Sequence, residues 1–140
     1  MKMIKIYVFG YEYKDKEFVP PKVDRKIFLP PVIKEKWKGS EENKLFSIII
    51  YNDGKEERNA DIIIDFSPSI IKGWKIYDFV KVRIKEGGMI NERKVSLQIN
   101  KIEPKEKLRI DFLIKMHSLK SLNAFSNGKK IERIFMYGVD

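Results

Sequence analysis

The 140-residue sequence predicts an all-β fold, a sandwich of two antiparallel sheets with about seven to nine strands. Three observations carry that expectation. Hydrophobicity alternates with a period of two through most of the chain, the signature of half-buried strands. Residues that tolerate positive φ fall between the alternating runs, and no long stretch repeats at the helical period. Hydrophobic residues make up 43% of the chain, enough to build a packed core in one domain of this length.

Five runs show the alternation cleanly. Phe46, Ile48 and Ile50 share a face in Leu45–Asn52, and Ile62, Ile64 and Phe66 share a face while Asp61 and Asp65 point away. Val80, Val82 and Ile84 alternate with Lys81, Arg83 and Lys85, and Val95, Leu97 and Ile99 alternate with Ser96, Gln98 and Asn100. Leu108, Ile110, Phe112 and Ile114 alternate with Arg109 and Asp111, which predicts a solvated outer face. Asn52-Asp53-Gly54, Gly87-Gly88 and Asn127-Gly128 supply the tight reversals. Ile131 to Tyr137 reads as a last strand after the Asn127-Gly128 turn, and His117 to Asn123 as a short helical turn.

Residues 1–43 read differently, as one strand followed by a proline-rich extended segment. Ile4, Ile6 and Val8 oppose Tyr7, Phe9, Tyr11 and Tyr13, so the first strand is apolar on both faces. Phe18-Val19-Pro20-Pro21 is echoed ten residues on by Phe28-Leu29-Pro30-Pro31. Proline cannot donate to a ladder, which places these segments at a sheet edge or in polyproline-like stretches. Lys36 to Asn43 is polar and reads as a loop.

Part of the chain resembles a known domain type. Phe46-Ser47-Ile48-Ile49-Ile50-Tyr51-Asn52-Asp53-Gly54, followed by Asn59-Ala60-Asp61-Ile62-Ile63-Ile64, resembles the strand, turn and strand of the immunoglobulin-like CARDB and NEW3 domains. Pro68 with Gly73-Trp74, and Ile102-Glu103-Pro104-Lys105-Glu106 before Leu108, resemble two further steps of that pattern; Lys105 stands where the family has glycine. The resemblance implies an immunoglobulin-like sandwich over 44–140 within a single domain of 1–140, with Trp74 between the sheets. It also implies a non-catalytic module of the kind found in cell-surface proteins and beside glycoside hydrolases.

Charge is the composition's strongest feature. A net charge of +9 draws nucleic acid, anionic membrane or acidic glycan into consideration. Lysine far outnumbers arginine, isoleucine dominates the apolar set and threonine is absent, a bias that suits an A/T-rich genome and a hot-living source. Both readings stay open. Two surfaces are candidate binding sites. One is the basic row Lys81, Arg83 and Lys85, beside Lys94 across the Gly87-Gly88 hairpin. The other is the aromatic row Tyr7, Phe9, Tyr11 and Tyr13, either a stacking platform or a face packed beneath the proline-rich segment.

The parts of common active sites do not assemble. There is no cysteine and His117 is the single histidine, which leaves zinc and serine–histidine sites without their components. Asp61 and Asp65 lie about 13 Å apart by strand rise, beyond the spacing of cooperating carboxylates. Gly87-Gly88 lacks the following Lys-Ser/Thr of a phosphate loop. No cofactor is expected. The N-terminus alternates instead of forming an apolar block, so it is no signal peptide as it stands, and no run is long enough to span a bilayer. A cytoplasmic protein and an excised domain of a surface protein both fit. The expected function is an interaction or structural module with a protein partner; the alternative is a polyanion-binding module for nucleic acid or acidic glycan. The proline-rich segment could itself dock on a partner, although neither proline pair has the P-x-x-P spacing.

Overall fold

β-branched and aromatic residues dominate the alternating runs, and those runs form eleven strands among the described residues of a computed structural model. The structure describes residues 4–23, 28–40, 42–56, 58–77, 84–115 and 122–138, with backbone alone for 58 and 84–87. The strands are β1 (Ile4–Lys14), β2 (Glu17–Val19), β3 (Asn43–Asn52), β4 (Arg58–Asp65), β5 (Ile70–Ile76) and β6 (Ile84–Asn91). They continue with β7 (Lys94–Ile102), β8 (Lys107–Lys115), β9 (Asn123–Ser126), β10 (Lys129–Lys130) and β11 (Ile134–Tyr137).

Two sheets result. The first runs β11-β1-β3-β8-β5, with β2 paired to the far end of β1; the second runs β10-β9-β4-β7-β6. Pairing is antiparallel except between β1 and β11, which run parallel from Ile6↔Ile134 to Phe9↔Tyr137. Between the sheets lies the main core. Ile6, Val8, Phe46, Ile48, Ile50, Leu108, Ile110 and Phe112 meet Ile62, Ile64, Phe66, Val95, Leu97 and Ile99, all buried. Phe66 and Phe112 bring one ring from each side to 4.8 Å, and half-buried Trp74 stacks on Phe112 at 6.1 Å. This is the sandwich that the period-two pattern predicts.

Several expectations are corrected. Asn52-Asp53-Gly54 is no hairpin, because β3 belongs to the first sheet and β4 to the second. Its asparagine instead ties two crossings together. Asn52 is buried; its Nδ2 donates to the carbonyls of Glu56 (2.8 Å) and Ile102 (2.9 Å), and its Oδ1 accepts from the Gly54 N–H. Gly87-Gly88 lies inside β6, and the reversal comes at Glu92-Arg93, where the Asn91 side chain accepts from the Arg93 N–H. The strand expected over Val80–Lys85 runs from Ile84 to Asn91 among the described residues, and 78–83 lie outside them.

Asn127-Gly128 does reverse the chain, with φ of 50° and 80°. It leads into the short β10, and the last strand starts only at Ile134 in the other sheet. His117 to Ser121 lie outside the described residues, while Asn123 opens β9 rather than closing a helical turn.

Candidate functional site

The two sheets treat their outer faces differently. On the first sheet, register places Tyr7, Phe9 and Tyr11 of β1 beside Ile49, Ser47 and Leu45 of β3. Beyond β3 come Arg109, Asp111 and Leu113 of β8, and then Lys75 and Gly73 of β5. Tyr7, Phe9 and Tyr11 are buried, so the aromatic row is no open stacking platform. The proline-rich segment covers it. Phe28 packs edge-on against Tyr7 (4.9 Å) and Tyr51 (5.1 Å), with the Lys107 ammonium 4.4 Å from its ring centre. The Tyr11 hydroxyl donates to the Pro31 carbonyl. Trp37 lies on Gly73, where a Cβ would sit 3.1 Å from the indole. Tyr13, at the end of the row, is half-buried against Phe18. Tyr7 and Phe9 also stack on Phe135 and Tyr137 of β11, at 5.0 and 5.3 Å.

Beneath this cover sits a charged cluster that alternation alone assigned to solvent. Asp111 is fully buried and accepts from Ser47 Oγ (2.8 Å), Arg109 Nε (2.9 Å) and Arg109 Nη2 (2.8 Å). The Arg109 guanidinium also lies 4.5 Å over the Tyr77 ring. Burial pushes Tyr11 up to about 12, against the pull of Ser47 and Arg109. Burial, and then the charge of Asp111, push Tyr77 up to about 12. The cluster is buried beside the residues that the cover packs on.

Among the described residues the outer face of the second sheet is open. Asp61 and Ile63 of β4, Ser96 and Gln98 of β7, and Gly88, Met89 and Ile90 of β6 line a groove of about 460 Å³. Phe125 of β9 pairs with Ile63 in register and extends the apolar floor. Met89 and Ile90 stand 44% and 53% exposed on its wall, large apolar side chains left in water. Half-buried apolar residues thus occupy the middle, with amide, hydroxyl and carboxylate groups around them.

Of the predicted basic row, Lys81 and Arg83 lie outside the described residues, as does the Lys85 side chain. Lys94 is described. It stands opposite Asp65 in register, with its ammonium 3.8 Å from that carboxylate, so part of its charge is answered within the protein. The Gly87-Gly88 hairpin that would have set the row beside Lys94 does not form.

Sequence reasoning missed the Met89–Ile90 wall because Gly87-Gly88 was assigned to a turn. Asn91 before Glu92-Arg93, a side chain able to cap a reversal, is the signal that would have moved the turn and placed the wall on a strand. Among the described residues no helix is long and apolar enough to cross a membrane. No family model matches the chain, and no curated protein matches it.

Proposed function

We propose that this protein is a non-catalytic binding module that contacts a partner protein through the open face of its second sheet. The observation that carries the reading is the contrast between the faces. One is sealed by the chain's own segment, whereas the other leaves Met89 and Ile90 exposed beside a groove floored by Ile63. An apolar centre with a polar rim is the composition of protein interfaces. Asp61, Ser96 and Gln98 supply the rim's acceptors and donors.

The competing reading is a polyanion-binding surface, which draws on the net charge of +9. Among the described residues the groove lining is a poor match for it, since its charged member there is Asp61 and the neighbouring Lys94 faces Asp65. One pair of experiments separates the two. A photo-cross-linking residue in place of Ile90, compared with one in place of Lys75 on the covered sheet, should give a discrete protein adduct from Ile90 alone. The captured protein, once purified, should bind the parent and lose at least about tenfold in affinity with Met89→Ser/Ile90→Ser, a loss of about 1.4 kcal/mol. Oligonucleotide binding that persists at physiological salt with a steep salt slope, and ignores that double substitution, would replace this reading with the polyanion one.

A further inference from the structure

We infer that the covered face of the first sheet is a receptor groove for proline-rich extended segments, occupied in this molecule by its own residues 28–40. This rests on a different face from the proposed protein contact and stands independently of it. The manner of attachment is the first argument. Residues 28–40 form no strand, although they lie over a sheet. They are held through side-chain pockets, a hydrogen bond from Tyr11 to the Pro31 carbonyl, the Glu35–Lys75 ion pair and the Lys34 ammonium over the Tyr77 ring. That is how aromatic grooves hold polyproline-type ligands, whose preset backbone costs little entropy to bind.

The second argument is the shape of the segment. Leu29 and Val32 stand exposed while Phe28, Pro30, Pro31 and Ile33 around them are half-buried, so an extended chain shows one side to the sheet and the other to water. Leu29 and Val32, at 67% and 78%, are the most exposed large hydrophobic side chains among the described residues. Phe28 and Trp37 point the other way, one into the cage of Tyr7, Tyr51 and Lys107, the other onto Gly73.

The third argument is that the fit is incomplete. Trp37 Nε1 is buried with no hydrogen-bond partner among the described residues, a cost the seated segment carries. A segment with the same anchors and a better donor–acceptor match would compete for the groove. The ligand class is therefore an extended segment with an aromatic residue shortly before a proline pair and a second aromatic about two turns beyond.

A labelled peptide with the sequence of residues 28–40 tests this, titrated by anisotropy against the full chain and against Phe28→Ala and Phe28→Ala/Trp37→Ala. The tethered segment competes at an effective concentration on the order of mM. The peptide should therefore bind the variants at least ~100-fold more tightly than the parent. A control peptide lacking both aromatics should bind neither. Folded variants that ignore the peptide would overturn the inference, as would equal binding to parent and variants. Failure of both variants to fold would also overturn it, because the segment would then be a part of the core that the sheet requires.

Discussion

Arg109 and Asp111, two residues apart on one face of β8, meet as a fork: Nε to Oδ1 at 2.9 Å and Nη2 to Oδ2 at 2.8 Å. Both are buried under the proline-rich segment. Two charges removed from water hold each other only while both are present. Asp111→Ala should therefore cost about 3–5 kcal/mol, by leaving the guanidinium buried and unpaired. Arg109→Met/Asp111→Leu should lose much less than either Asp111→Ala or Arg109→Met alone. Urea denaturation of the three variants decides it, and a double variant as unstable as the singles would contradict the account.

Gly10 lets β1 pass close to the chain end. A Cβ there would stand 2.6 Å from the Gly138 carbonyl oxygen and 3.0 Å from the Phe46 ring. Backbone cannot yield as a flexible side chain can, so Gly10→Ala should destabilise by about 1–3 kcal/mol. The loss should appear as a lower denaturation midpoint with an unchanged slope.

Asp53 accepts hydrogen bonds from Lys5 and Lys105, which hold its carboxyl down at about 2. A depressed carboxyl contributes stability above its unfolded pKa of about 3.9, and that contribution fades as pH falls towards the folded value. Stability measured between about pH 4 and pH 2 should therefore fall less steeply in Asp53→Asn than in the parent. Parallel curves would show that the exposed cluster contributes nothing.

Tyr7, Tyr11 and Tyr77 all have raised pKa values, with burial as the first cause. For a raised group, stability is intact below the unfolded pKa of about 10 and is lost as pH rises through the folded value. Phenolate absorbance should show a late phase near pH 12 in the native protein, and Tyr11→Phe should shrink that phase. A titration in which the substitution leaves the late phase unchanged would show that Tyr11 does not contribute to it.

The sandwich was legible because alternation is a local property. Ile62, Ile64 and Phe66 announce one buried face without reference to any neighbour, and Asn127-Gly128 announces a reversal by its own φ preferences. Lys105 adopts φ 66° in the turn before β8, a left-handed conformation that its residue type does not announce. What was not legible depends on distant chain. Arg109 and Asp111 read as solvated because nothing in β8 says that Trp37 and Phe28 lie on the same sheet. The same distance hides Ser47, whose hydroxyl finds Asp111 only across the β3–β8 register. The open groove escaped because two glycines inside a strand resemble a turn until the pairing of Gly88 with Ser96 is known.

The most direct test of the binding reading is the affinity of the protein captured at Ile90, measured against the parent, Met89→Ser/Ile90→Ser and Leu29→Ser/Val32→Ser. Binding through the second sheet predicts a loss of at least about tenfold for the first pair and an unchanged affinity for the second. Equal affinity across all three, or a loss confined to Leu29 and Val32, would contradict it.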